Sequence, residues 1–214
     1  LVDDPFFRHP EFKGGEKLNR LLKAYANFDP ELGYTQGMNT VAAVILMVMS
    51  GYGADQRTWK RKIHSRTCER NAFWILVYIM IERQYRRCFI DNYPRLMETL
   101  EIFDRTLKEQ IPPIVQHMKT YDVSIQAVFM HQFMTVAGQD SPHEFSIRMM
   151  DLFLVKGDLM IIHVLVRTLQ ACQEEIFARK DESLFRYLKH DMIITAYNKY
   201  RNNLNKLFVL EAEN

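Results

Sequence analysis

The chain has 214 residues, of which 48% are hydrophobic and 25% are charged, values typical of a soluble globular protein. Its formal net charge of +2 is too small to indicate nucleic acid or a membrane as a partner. Only 8 glycines and 7 prolines argue against a turn-rich β protein. The three cysteines show no CxxC spacing, which favours a reduced intracellular protein.

Apolar residues recur with helical spacing along most of the chain. The first such segment predicts a helix over residues 18–28, and a continuously apolar segment predicts a second helix over residues 38–49. Residues 41–49 are about half of the roughly 20 needed to span a bilayer, so we expect a buried core helix. The side chains that we expect to be largely buried are Val44, Leu46, Met47, Phe73, Trp74 and Leu152.

Further helices are predicted in close succession towards the C-terminus. Pro94 suits the first turn of a helix over residues 94–110, and Ser141 with Glu144 has the spacing of a capping box. A helix is also predicted over residues 71–84. Two more are predicted over residues 123–136 and 159–172, with Asp122 and Asp158 as their respective caps. A last helix should run from Asp181 or Ser183, either of which could cap it, to about residue 200. No strand is convincing. We therefore predict an all-α domain of roughly ten helices without a sheet.

Residues 52–70 differ from the rest because they are basic and lack apolar periodicity. We interpret them as a solvated surface insertion that carries no catalysis; contact with an acidic partner or with phospholipid is the alternative. The basic side chains are Arg57, Lys60, Arg61, Lys62, Arg66 and Arg70.

The most informative motif lies between the first two predicted helices and reads Gly33-Tyr34-Thr35-Gln36-Gly37-Met38-Asn39. A glutamine between a turn and a buried helix is placed to meet a partner, because its amide carries both a donor and an acceptor. Without further context, the motif could equally be a glycine-bounded helix start with an incidental polar residue.

This motif resembles the Tyr-x-Gln-Gly-Met signature of the TBC domain family, the catalytic module of Rab GTPase-activating proteins. The resemblance continues in family order over about residues 1–200. The further matching segments are residues 22–26, residues 29–33, the Ala-Phe-Trp segment at residues 71–74, residues 133–135, and an Arg-x-x-Asp motif at residues 148–157 in which Met150 replaces the usual tryptophan.

The resemblance implies a single TBC-like domain over residues 1–214 that lacks the N-terminal part of the family domain. It implies that Gln36 enters the active site of a Rab-type GTPase and positions the hydrolytic water, the task that Ras gives to its own glutamine. The residues implied to support Gln36 at the partner are Tyr34, Gly37, Met38 and Asn39.

The same resemblance places GTP and Mg²⁺ in the partner, so we expect no cofactor in this chain. No phosphate-binding GxxxxGK[ST] motif occurs, and the histidine spacings do not indicate a metal site. We expect no nucleic acid as partner. We expect a cytoplasmic protein that reaches endomembranes through its GTPase.

The family's catalytic arginine is expected in an Ile-x-x-Asp-x-x-Arg motif, near the start of this chain. With Asp4 at the aspartate position, the arginine position falls on Phe7, and Arg8 lies one residue late. An insertion at Pro5 would restore Arg8 to the catalytic role. An alignment on the following His-Pro-x-Phe segment leaves no arginine finger.

Two functions of the family therefore stay open. One is a GTPase-activating protein that uses Gln36 and Arg8. The other is a weakly active or inactive TBC domain that binds or scaffolds a Rab, because an arginine finger contributes a factor of about 10³–10⁵ in rate. Outside the family, a generic helical interaction module is the third reading.

Overall fold

The computed structural model describes residues 4–51 and 66–208, with Arg66 by its backbone alone. Within these ranges the chain forms helices and no strand, which confirms the all-α prediction. Residues 52–65 of the basic segment lie outside the described residues. The α-helices are α1 Pro5–Arg8, α2 Gly14–Phe28, α3 Met38–Met49, α4 Arg66–Met80, α5 Pro94–Gln110, α6 Pro112–Thr120, α7 Ile125–Met134, α8 His143–Lys156, α9 Asp158–Ala171, α10 Gln173–Phe177, α11 Asp181–Arg186, α12 Met192–Tyr200 and α13 Asn205–Phe208.

Helix α3 lies at the centre of the fold, as its continuous apolar sequence predicts. It packs against α2, α4 and α8, so protein covers it on several sides. Val44, Leu46 and Met47 are at most 1% exposed, which confirms their predicted burial. A helix that is apolar all round needs this enclosure, because any outward face would leave apolar surface in water.

The prediction that Trp74 is buried is wrong, since 57% of this residue is exposed. Helix α4 faces the core through Ala72, Leu76 and Ile79, which recur at i, i+4 and i+7. Trp74 lies two residues from Ala72 and therefore points to the other side of the helix. There it contacts the rings of Phe28 and Phe73.

Phe73 and Leu152 are half-buried, less than predicted. The boundaries of α4 also differ from the prediction, because the helix begins at Arg66 and ends at Met80. Helix α5 has the predicted bounds.

The predicted capping box of α8 does not form. The hydroxyl of Ser141 donates to the carbonyl of Ala137 at 2.7 Å, and Glu144 accepts a hydrogen bond from the phenol of Tyr197. Pro142 is the residue that precedes the helix. Ser141 thus bonds to the preceding loop and Glu144 to a distant helix, so neither side chain caps α8.

The two predicted aspartate caps are also wrong. Ser124, not Asp122, caps α7, because its hydroxyl accepts from the amide of Ala127 at 3.3 Å. Asp158 opens α9 and forms an ion pair with Arg95 at 2.7 Å. At the last predicted helix Lys180 precedes the first turn, and the Ser183 hydroxyl accepts from its amide. The chain then continues through a π-helical turn, Tyr187–Asp191, and α12 to Tyr200.

Candidate functional site

Residues 33–37, which we call the Gln36 turn, form the last part of the connection between α2, which ends at Phe28, and α3, which begins at Met38. Gln36 is exposed, whereas the next residue, Gly37, is buried and precedes α3 directly. Tyr34 is 54% exposed on the same turn. The turn therefore presents an amide and a phenol to solvent from a buried attachment point.

Local hydrogen bonds fix the shape of the turn. The amide of Gly37 donates to Oδ1 of Asn39 at 3.1 Å, and the amide of Met38 donates to the carbonyl of Thr35 at 3.2 Å. The side chain of Met38 is 1% exposed, and its sulfur accepts from the amide of Thr35 at 3.3 Å. Met38 and Asn39 thus hold the backbone on both sides of Gln36.

Gly37 has a backbone conformation that favours glycine, and it lies in ordinary contact with the core. Its φ is +102°, a value that L side chains rarely adopt. A Cβ at this position would lie 3.4 Å from Cε1 of Phe89 and 3.6 Å from Cβ of Met134. The core contact and the positive φ together define the direction in which Gln36 leaves the core.

An ion-pair network anchors the chain just before the turn. Nε of Arg86 lies 2.6 Å from the carboxylate of Asp29, and its NH2 group lies 2.7 Å from Glu31. Asp29 also accepts from the amide of Leu32 at 3.3 Å. The hydrogen bond from Arg86 is the main cause that lowers the pKa of Asp29 below its ordinary value.

Two cavities flank the turn and share Thr35. One has a volume of about 320 Å³, contains Gln36 in its wall and is called here the Gln36 cavity. The other, of about 420 Å³, lies on the side of Arg86 and has two carboxylates in its wall. The Gln36 cavity is lined by Thr35, Gln36, Gly37, Tyr93, Ala127, Met130, His131, Met134 and Lys189. The second cavity is lined by Glu31, Leu32, Thr35, Arg86, Phe89, Ile90 and Asp91.

Arg8 lies on α1, away from the sequence of the Gln36 turn. It is the last residue of α1, where Asp4 accepts from the amide of Phe6 at 2.8 Å. A Cβ on Gly14 would lie 2.3 Å from the carbonyl oxygen of Phe6, so α1 abuts the first residue of α2. The Gln36 turn follows the other end of α2, a helix of 15 residues that is about 22 Å long at 1.5 Å per residue.

Arg8 does not line the Gln36 cavity. The structure therefore brings Tyr34, Gly37, Met38 and Asn39 to Gln36 but does not bring Arg8 there. The catalytic role of Arg8 stays a prediction.

Sequence reasoning missed the residues that α7 and the π-helical turn contribute to the cavity. Lys189 is 153 positions from Gln36, and no linear spacing connects them. Burial lowers the pKa of the His131 imidazole, which favours its neutral form. A π-helical turn is a sign of a functional segment, but it can be recognised only in the fold.

Within residues 4–51 and 66–208, no group of three or more His, Cys, Asp or Glu side chains is arranged to hold a metal ion. In the same ranges, no helix has both the length and the apolar character required to cross a membrane.

Comparison with known proteins gives a consistent assignment. The family model of the Rab-GTPase-TBC domain matches residues 3–177. The GTPase-activating protein GYP5 of Eremothecium gossypii is 30% identical over 179 residues, which cover 84% of this chain and 18% of that protein. GYP5 of Saccharomyces cerevisiae is 27% identical over 179 residues, with 83% of this chain and 18% of that protein covered.

Among solved structures, the Ypt/Rab-GAP domain of Gyp1p has the same fold, with a TM-score of 0.70. The match covers 91% of this chain and 67% of that one at 12% identity, a level at which it supports the fold alone. The chain spans about a fifth of the length of the curated relatives it matches.

Proposed function

Because the chain belongs to the Rab-GTPase-TBC domain family, we propose that it activates a Rab-type small GTPase by supplying Gln36 in trans. The observation that carries the proposal is the exposed Gln36 on a turn whose next residue is buried at the start of the core helix α3. The relatives named GTPase-activating proteins support the same activity.

In the proposed mechanism Gln36 positions the water that attacks the γ-phosphate of the partner's GTP. Its amide can accept a hydrogen bond from the water and donate one to a second oxygen atom at the same time. A hydroxyl or a carboxylate on a side chain of this length does both less well. The partner provides the nucleotide and Mg²⁺. This chain provides the fixed direction of approach, through Met38 and Asn39 on the α3 side of the turn and through the Arg86 network on the α2 side.

A second function, that of a Rab-binding or scaffolding domain with weak activation, is favoured by the position of Arg8. An arginine finger in other GTPase systems contributes about 10³–10⁵ in rate, equal to about 4–7 kcal/mol of transition-state stabilisation. A glutamine that only orients water does not replace this contribution. With Arg8 at the opposite end of α2, we propose Gln36-dependent activation that is weaker than that of a two-residue site.

A cytoplasmic location and recruitment to endomembranes would follow from such a partner, and both are part of this proposal. They do not require a membrane-spanning segment in the domain, because the GTPase itself would bring the domain to the membrane.

The test is single-turnover phosphate release from a panel of GTP-loaded Rab-family GTPases, with and without the chain. We expect acceleration of at least one GTPase and saturation with increasing chain concentration. Binding to the GTP form without acceleration would favour the scaffolding function. Absence of both binding and acceleration across the panel would refute the proposed function.

A further inference from the structure

We propose that the Gln36 cavity is a docking site for a segment of the GTPase that carries an apolar side chain beside a carboxylate, with Lys189 as the pairing cation. This inference rests on the proposed function, and it names the part of the partner that lies next to Gln36 in the complex. It assigns a recognition role to α7 and to the π-helical turn, Tyr187–Asp191.

Helix α7 contributes three apolar side chains to the wall of the cavity. Ala127, Met130 and Met134 lie on successive turns of α7, and all three line the cavity. Methionine side chains adapt to the shape of an incoming group, which suits a protein partner. A volume of about 320 Å³ can accept one large side chain with its neighbour.

The charge of the cavity is unbalanced. Among the described residues that line it, none is an aspartate or a glutamate, and Lys189 carries the one full charge. The half-buried His131 adds little positive charge, because its partial burial lowers the pKa of the imidazole and favours the neutral form. A partner with a carboxylate at this point would therefore gain an ion pair near the apolar contact.

Lys189 is held in place at its backbone and along its side chain. Its carbonyl accepts from Nε2 of Gln132 at 3.1 Å, and its ammonium lies 5.3 Å from the ring centroid of Phe185. The next residue, His190, contacts Asp140 at 2.8 Å. This support gives the cation a defined position, and π-helical turns of this kind are frequent at functional sites.

The other side of the Gln36 turn has a different charge pattern, which adds a reason for one orientation of the partner. There Glu31 and Asp91 line the second cavity, and Arg86 is already paired with Asp29 and Glu31. A carboxylate of the GTPase is favoured at Lys189 and disfavoured at Glu31 and Asp91. The two cavities beside the Gln36 turn would thus offer the GTPase surfaces of unequal charge. This difference favours a single orientation of the GTPase on the domain.

Substitutions at two positions test the two halves of the proposal. Ala127 is exposed at the third residue of α7, so Ala127→Trp fills the cavity with little change to the core. Lys189→Glu reverses the charge, and Lys189→Gln removes it. The matched control is Gln126→Trp, because Gln126 is exposed on the same turn of α7 but lines a different cavity.

The measurement is steady-state activation of a responsive GTPase, together with the dissociation constant of its GTP form. We expect Ala127→Trp and Lys189→Glu to raise KM and Kd by about tenfold or more with kcat within about threefold, since they weaken binding and leave Gln36 itself unreplaced. Lys189→Gln should give an intermediate increase. The control Gln126→Trp should match the wild type in all three constants.

The outcomes separate this inference from the proposed function. If the wild type activates or binds a GTPase and both cavity variants bind it as well as the wild type, the docking site is refuted while the function stands. If the wild type neither binds nor activates any GTPase of the panel, both are refuted. Circular dichroism checks that Ala127→Trp folds, and Lys189→Glu decides the question if it does not.

Discussion

The Gln36 turn and helix α1, which ends at Arg8, each contain a residue predicted to be catalytic, but the two segments are attached to the core in very different ways. The turn joins two long helices, and its buried Gly37 lies against Phe89 and Met134. Arg8 ends a helix of four residues in which Phe6 is the buried side chain. A catalytic group that acts in trans needs a fixed direction, and the turn provides one through the core.

The catalytic assignments of Gln36 and Arg8 also rest on different kinds of observation. The Gln36 motif contains its own structural explanation, since a glycine at positive φ is followed by an enclosed helix. The Arg8 assignment depends on spacing alone, and a shift of one residue changes it. In the fold the two residues are associated with opposite ends of α2.

The largest expected effect comes from Gly37→Ala. The backbone strain of a side chain at φ +102° should lower the free energy of unfolding by about 1–3 kcal/mol. Because the turn must move to relieve this strain, GTPase activation should fall by about tenfold or more, the effect of misplacing a positioned group. Urea unfolding and phosphate release measure the two quantities.

Gly33→Ala is the matched control for that experiment. Gly33 also has a positive φ, of +65°, but no atom lies within 4 Å of its added Cβ. We expect about 1–2 kcal/mol of destabilisation from the left-handed backbone alone, with activation largely kept. Equal loss of activity in both variants would contradict the special role of the buried Gly37 position next to Gln36.

An intermediate effect is expected from Arg86→Ala, which removes the anchor before the turn. The side chain of Asp29 is 10% exposed, so loss of its charged partner should cost about 1–3 kcal/mol at pH 7. Arg87→Ala is the control, since Arg87 is 43% exposed and pairs with Glu98 at the surface. It should cost less than about 1 kcal/mol.

The Arg86 effect should depend on pH in a defined direction. The folded protein holds the pKa of Asp29 below its ordinary value of about 3.9. Stability from this ion pair is therefore fully present above about pH 4 and is lost as pH falls through the lower, folded value. Urea unfolding at neutral and at acidic pH should show the difference between wild type and Arg86→Ala shrinking on acidification. A pH-independent difference would exclude the ion pair as its source.

The smallest effect is expected from Arg8→Lys. Lysine keeps the charge but loses the planar fork that suits phosphate oxygens, so a true finger would lose about a hundredfold or more. Because Arg8 lies away from the Gln36 cavity, we expect activation within about threefold of wild type, the range of a residue outside the reacting groups. A hundredfold loss with binding kept would assign the finger to Arg8 and contradict its placement here.

Much of the fold could be predicted from periodicity. The bounds of α3 and α5 follow from apolar spacing and from Pro94, because these signals are local. The predicted caps at Asp122 and Asp158 do not form, because a polar side chain near a helix start can instead bond to a neighbouring segment. Asp158, for example, forms an ion pair with Arg95. The burial of Trp74 was predicted wrongly because the apolar spacing of residues 71–84 does not fix which face of α4 meets the core; the helix buries Ala72 and not the residue two positions on.

The site could be predicted only where it is continuous in sequence. Gln36 and its neighbours form one motif, so their proximity is certain from the chain. Lys189 and Met130 join them through the packing of α7 and the π-helical turn, and neither residue type marks a site by itself. The position of Arg8 depended on the path of α2, which a motif spacing does not give.

The most direct test of the account is the rate of GTP hydrolysis by a responsive Rab-type GTPase with Gln36→Ala. We predict that kcat falls by about tenfold or more, at least about 1.4 kcal/mol of transition-state stabilisation. Binding of the GTP form and the unfolding free energy should stay at wild-type values, because Gln36 is exposed. An unchanged kcat in a folded, binding-competent Gln36→Ala variant would contradict the claim that this glutamine acts in the partner's active site.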